Sequence, residues 1–138
     1  MSYLLDTNTC IALIKGRPVG ARERFDELTD DGRLIAVSSL VQFELWYGVA
    51  KSAQQDANAD RLAYFLSGPV EQIDFDAEDA REAGRVRAAL KRAGTPIGPY
   101  DVLIAGQALR RGATLVTANG GEFSRISGLQ WEDWSASR

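Results

Sequence analysis

Three carboxylates, Asp6, Glu44 and Asp101, occupy positions in this sequence from which side chains can do chemistry. Asp6 ends the apolar run Tyr3-Leu4-Leu5 and opens a stretch, residues 7–15, in which Cys10, Ile11, Leu13 and Ile14 have helical spacing. A carboxylate there stands at the carboxyl end of a strand, where α/β folds hold ligands, although an Asp before Thr-Asn also serves as a plain N-cap. Glu44 is the sharper signal. Between residues 40 and 50 the only polar side chains apart from Tyr47 are Gln42 and Glu44, so this helix is apolar nearly all round and is expected to be buried. A carboxylate in it needs a cation or a donor; a metal ion, a buried Arg or an escape to solvent would each satisfy it. Asp101 falls in the first turn of a helix opened by Pro99, with Ile104, Ala105 and Ala108 at i+3, i+4 and i+7. It therefore faces inward, unlike a surface acid placed only to complement a helix dipole.

Three acids facing one sheet edge repel one another until an oxygen-seeking cation such as Mg²⁺ or Mn²⁺ joins them. In phosphodiester hydrolysis such an ion lowers the pKa of an attacking water and stabilises the leaving oxygen. Composition closes other routes. Histidine is absent and Cys10 is the only cysteine, which excludes an intrachain disulfide, a Cys/His zinc cage and histidine acid–base catalysis. The 19 acidic and 16 basic residues give a net charge of −3. That balance does not advertise nucleic-acid binding, yet phosphate contact needs only a local basic face, and bound cations add positive charge.

The elements that position these acids alternate along the chain. Strands are expected at residues 3–5, 34–37, 70–73, 114–117 and 129–131. Helices are expected at residues 7–15, 18–29, 40–52, 56–66, 77–93 and from Pro99 until Gly112 stops it. Ser39-Leu40-Val41-Gln42 has the capping-box pattern, Asn119-Gly120-Gly121 reads as a turn, and four residues trail after Trp134. Alternation of this kind predicts an α/β fold with a mostly parallel central sheet between two helical layers, an α/β/α sandwich. With 138 residues, 45% of them apolar and 25% charged, one compact domain spanning residues 1–138 is expected. The opening Met-Ser-Tyr-Leu-Leu-Asp has no basic region before its acid, so neither a signal peptide nor a membrane span is expected and the cytoplasm is the expected compartment.

Four blocks, read in order, carry a family resemblance: Leu-Leu-Asp6-Thr7-Asn8-Thr9; Ser38-Ser39 with Glu44 and Gly48; Gly94-Thr95-Pro96-Ile97-Gly98-Pro99-Tyr100-Asp101 with Ile104-Ala105; and Leu115-Val116-Thr117-Ala118-Asn119 with Glu122-Phe123. The closing Gly128-Leu129 and Glu132-Asp133-Trp134 fit as well. Together they resemble the PIN-domain ribonuclease toxins of bacterial VapBC toxin–antitoxin systems. The resemblance implies a PIN-like fold, Mg²⁺- or Mn²⁺-dependent cleavage of structured RNA such as tRNA, inhibition by a VapB-type antitoxin, and a homodimer within a larger toxin–antitoxin complex. Asp6, Glu44 and Asp101 match the family's acidic metal positions. Asn119 stands at its fourth acidic position, where an amide ligates through oxygen without adding charge.

Rival readings are weaker. A phosphoacceptor receiver would want a lysine after its last strands, and none follows Lys91; a dinucleotide enzyme would want glycines in Asp6-Thr7-Asn8-Thr9, which has none. A DNA-cleaving or purely nucleic-acid-binding PIN module remains the alternative. Arg81, Arg85 and Arg92 share a helical stripe that suits RNA phosphates, with a solvated face as the better reading. Phe43, Trp46 and Tyr47 suit either an antitoxin or dimer surface or core packing. Cys10 reads as small core filling.

Overall fold

The computed structural model describes residues 2–135. Within them the chain runs β1 (Ser2–Leu5), α1 (Thr7–Lys15), α2 (Val19–Asp30), β2 (Leu34–Ser38), α3 (Ser39–Ala50), α4 (Gln55–Leu66), β3 (Glu71–Ile73), α5 (Ala77–Arg92), α6 (Pro99–Arg111), β4 (Thr114–Val116), α7 (Gly120–Phe123) and β5 (Trp131–Glu132). The last three residues of the expected tail, 136–138, lie outside the described residues.

The five described strands form one sheet in the order β3-β2-β1-β4-β5, and every pairing is parallel, with Tyr3 beside Ile35 and Leu4 beside Leu115. Parallel strands are buried on both faces, which is why β1, β2 and β4 read as continuous apolar runs rather than alternating ones. Leu5, Val37, Leu115 and Val116 are fully buried. The chain moves outward in one direction through β1, β2 and β3, then returns to add β4 and β5 on the other side of β1. Right-handed crossovers therefore place α1 to α4 on one face and α5 with α6 on the other, in agreement with the packing of α1 on α2, α3 and α4 and of α5 on α6. The reversal between β1 and β4 opens a crevice at their carboxyl ends, the usual ligand position in such sheets.

Local chemistry explains the helix ends. Asp76 and Asp79 form a reciprocal capping box at the start of α5, Pro99 occupies the first turn of α6, and Gly112 stops α6 in the left-handed region at φ 63°. Gly106 is required for space: a Cβ there would come within 2.4 Å of Ala83 Cα, so α5 and α6 approach more closely than any larger residue allows.

Four expectations are corrected. The cap of α3 is Ser38, whose hydroxyl accepts the Leu40 N–H at 3.1 Å, while Ser39 is already helical and its hydroxyl accepts the Phe75 N–H; the capping box over residues 39–42 does not form. The helix is not buried all round either. Only Val41 and Leu45 of α3 are fully buried, and Phe43, Trp46 and Tyr47 are 68%, 42% and 60% exposed. An outer-layer helix needs one apolar stripe, so the rest of its apolar surface is left facing outward. Asn119-Gly120-Gly121 is no simple turn but the entry to α7, where the Trp131 ring lies so close that a Cβ on Gly120 would meet it at 2.3 Å. Finally, the last strand is Trp131–Glu132 rather than residues 129–131, because the Gln130 and Glu132 carbonyls receive the Leu115 and Thr117 N–H groups, both at 2.9 Å.

Candidate active site

Asp6 is held by the strand before it and the helix after it. Its N–H continues the β1–β4 ladder to the Val116 carbonyl at 3.0 Å, and its Oδ1 caps α1 by accepting the Thr9 N–H at 2.8 Å. The Thr9 hydroxyl donates to the same Val116 carbonyl at 3.1 Å, pinning the first turn of α1 to the end of β4. The capping and site readings are therefore compatible, since one carboxylate oxygen serves the helix and the other is left over.

Glu44 is half-buried on α3, and its Oε1 accepts the hydroxyl of Thr7, the residue after Asp6. The ion pairs of the described residues all involve other acids, so no buried Arg answers Glu44. Asp101 is half-buried in the first turn of α6, backed as expected by the buried Ile104, Ala105 and Ala108. Its neighbour Tyr100 donates its hydroxyl to the Leu40 carbonyl in α3. Asp6, Thr7, Asn8, Glu44, Tyr100, Asp101 and Ile104 line a single cleft of about 160 Å³ at the carboxyl edge of the sheet.

The electrostatics of the cleft are those of excess negative charge. Burial pushes the Asp101 carboxyl up to about 6, assisted by a hydrogen bond to Glu122 and by the charges of Glu122, Asp6 and Glu44. Glu122 moves the other way: the hydrogen bond from Asp101 holds it below the ordinary carboxylate range, helped by Asn119, the Gly98 N–H and the charge of Arg125. The two acids are thus pushed in opposite directions, Asp101 toward its protonated form and Glu122 toward its ionised form. Burial, then the charges of Glu44 and Asp101, raises the Tyr100 phenol, which keeps it a donor.

Asn119 does not line the cleft. It is exposed, its N–H donates to Thr117 Oγ1 at 3.0 Å, and its side-chain amide donates to Glu122 Oε2 at 2.6 Å. It reaches Asp101 only through Glu122, a residue to which sequence reasoning gave no site role. The available signal was the i, i+3 spacing of Asn119 and Glu122 across one helical turn. Cys10 is fully buried beneath this edge, and burial together with the Asp6 charge raises its thiol pKa, which leaves it unreactive.

Donors here are carboxylate, amide and hydroxyl oxygens, the set preferred by hard divalent cations. Among the described residues no three acids already close into a coordination shell. Mg²⁺ does not need that, since it keeps several waters and takes one or two carboxylates. Asp6, Glu44 and Asp101 line one cleft, and Asp101, raised first by burial and then by its acidic neighbours, has a charge that a cation would stabilise, so the residues present fit such an ion.

Comparison with known proteins agrees with this geometry. The PIN domain family model matches residues 3–129. The tRNA(fMet)-specific endonuclease VapC of Shigella flexneri is 42% identical over 135 residues, covering 98% of this chain and 99% of the relative. Its counterpart of the same name in Salmonella typhimurium is 44% identical over 134 residues, covering 97% and 98%. Among solved structures, VapBC2 from Rickettsia felis bound to a DNA fragment from its promoter aligns with a TM-score of 0.90 at 41% identity, covering 97% of this chain and 99% of that one. PIN-domain nucleases are generally divalent-metal-dependent enzymes. From end to end in sequence and fold, the chain belongs to the PIN-domain family and, within it, to the VapC ribonucleases.

Proposed function

We propose that this protein is the toxin of a type II toxin–antitoxin pair: an endoribonuclease of the cytoplasm that uses Mg²⁺ or Mn²⁺ to cut structured RNA, with tRNA as its substrate class. The observation that carries the reading is the acidic cleft at the β1/β4 reversal, in a chain with no histidine and with no basic side chain paired to those acids among the described residues. Two relatives named as tRNA(fMet)-specific endonucleases supply the substrate class.

Asp6, Glu44 and Asp101 would hold the cation. A divalent ion bound there supplies Lewis acidity toward a scissile phosphate and its attacking water. The chain's own residues do the rest. Thr7 holds Glu44 in place, Thr9 fixes Asp6, and Glu122 hydrogen-bonds to Asp101. Asn119 supports this arrangement by orienting Glu122, with the catalytic contribution of a helper rather than a ligand.

A VapB-type antitoxin is the proposed partner, in a complex built on a toxin homodimer. A groove of about 590 Å³ adjoins the cleft through Glu44; Ile11, Ile14, Leu45, Val49 and Leu62 give it an apolar floor, and Lys15, Arg17 and Arg61 a basic rim. An amphipathic segment with acids beside its apolar residues suits that lining. The exposed Phe43, Trp46 and Tyr47 offer a second apolar surface for assembly.

The test is to incubate the purified protein with total RNA and with isolated tRNAs, in Mg²⁺, Mn²⁺ or chelator, and to map new ends. Discrete metal-dependent cuts in tRNA are expected. Cutting that persists in excess chelator would sink the metal mechanism, and cutting of DNA in preference to RNA would sink the substrate assignment.

A further inference from the structure

The helices that carry Glu44 and Asp101 have different neighbours. α3 packs mainly on α1, α4 and β2, whereas α6 packs mainly on α5 and β4, and the two helices share little packing with each other. The spacing between Asp6 and Glu44 is maintained by the α1–α3 packing and by the Thr7 hydroxyl. Between Glu44 and Asp101 the hydrogen bond that joins α3 to α6 runs from the Tyr100 hydroxyl to the Leu40 carbonyl. Leu40 lies four residues before Glu44, so the carbonyl that receives Tyr100 is the one to which the Glu44 N–H points within the helix. Tyr100 itself is the residue before Asp101. One bond thus ties the turn that projects Glu44 to the turn that projects Asp101.

We propose that Tyr100 is a positioning residue of the cation site, its hydroxyl on the Leu40 carbonyl setting the spacing of Glu44 and Asp101. This rests on the reading of Asp6, Glu44 and Asp101 as the cation-binding acids. Two carboxylates without a cation push their helices apart, and α3 and α6 share little packing to resist. The Tyr100 tie resists instead, so that a cation meets a preset gap and binding does not spend free energy on closing it. Tyr100 acts through Leu40 and Glu44, not by ligating.

The experiment titrates Mn²⁺ into the full-length protein and into Y100F, following free aquo-Mn²⁺ by electron paramagnetic resonance, with unfolding in chelator measured alongside. Phenylalanine keeps the ring and removes the hydroxyl. Mn²⁺ affinity is expected to fall about 10-fold, as for other residues that orient metal ligands, and RNA cleavage should drop at limiting Mn²⁺ and recover at saturating Mn²⁺. A second variant, Y100L, should lose stability with no further loss of Mn²⁺ affinity. Equal affinity in folded Y100F overturns the proposal, as does cleavage that stays low at every Mn²⁺ concentration, which would make Tyr100 a substrate contact. Failure of Y100F to fold, or affinity that tracks ring size, would assign the hydroxyl or ring to the fold and also overturn it. If the unaltered protein binds no Mn²⁺, the cation-site reading itself fails; if it binds and Y100F binds equally, only the role of Tyr100 fails.

Discussion

The two ends of α6 treat acids in opposite ways. Near its carboxyl end, the fully buried Asp79 of α5 has Arg110 and Arg111 at 3.6 and 3.2 Å, accepts the Gln107 amide at 3.0 Å, and receives the Asp76 N–H in the capping box. At its amino end, Asp101 meets Glu122, Asp6 and Glu44, all acids, and burial together with these neighbours raises its carboxyl. A buried carboxylate answered by the chain's own arginines is finished as a structural element. One answered only by other carboxylates waits for positive charge from outside. The same helix therefore shows why an acid count alone never identifies a metal site, while the partners of each acid do.

Asp101→Asn breaks the comparison most sharply. Cleavage should fall below detection in a metal-supplemented RNA assay, while the metal-free protein should be as stable as before or more stable by about 1 kcal/mol, because a repelling charge is gone. At the other end the pattern reverses. Asp79→Ala removes the acceptor for Gln107 and both arginines along with half of the capping box. It should cost about 2 to 3 kcal/mol in denaturant unfolding, less than a wholly buried pair would because the arginines remain partly exposed. Its folded fraction should cleave normally. If Asp79→Ala destroyed activity without loss of stability, or Asp101→Asn unfolded the protein, the division into structural and functional ends would be wrong.

Much of this division was legible in the residues. Apolar runs, Pro99 and the glycine at 112 gave the order of elements, because propensity and capping are local. The direction of Asp101 followed from its helical spacing to Ile104, Ala105 and Ala108. Two classes of fact were not legible. Asp79 and Glu122 draw their meaning from partners distant in sequence, and no periodicity encodes that. The exposure of α3 failed for a related reason: an apolar helix reads the same whether its surface is covered by its own fold or left facing outward, as Phe43, Trp46 and Tyr47 are. Cover supplied by another chain leaves no mark in this one's pattern.

Asn119 gives a smaller and more local test. If its amide matters by steadying Glu122, Asn119→Ala should lower cleavage about 10-fold with the fold intact, in line with other residues that support metal ligands. Asn119→Gly should do the same, since the backbone at Asn119 has φ −95° and needs no glycine. Full activity in the glycine variant would reduce Asn119 to a helix start, and full activity in both would detach it from the site.

The smallest effect is the pH dependence of stability, and the two ends of α6 should show opposite signs. Asp101 has its ordinary value of 3.8 when unfolded and about 6 when folded. Between those values the folded chain holds a proton that the unfolded chain has released, so the contribution of Asp101 to stability is complete below about pH 4 and is lost as pH rises through about 6. Asp76 behaves inversely. The Asp79 N–H, then Arg110 and Arg111, hold its carboxyl below the ordinary range, so its contribution is present above that range and lost as pH falls through the lowered value. Unfolding of the metal-free protein from pH 4 to 7 should therefore lose stability through Asp101, by about 1 kcal/mol once solvent screening of a half-exposed group is allowed for. The Asp101→Asn variant should lack that decline, whereas Asp76→Asn should keep it. Saturating Mg²⁺ or Mn²⁺ should reverse the sign at the cleft alone, because a cation requires the ionised form and protons then compete with it below about pH 6. A decline of the same size in Asp101→Asn would place the titrating group elsewhere, and with it the charge that the cleft leaves unanswered.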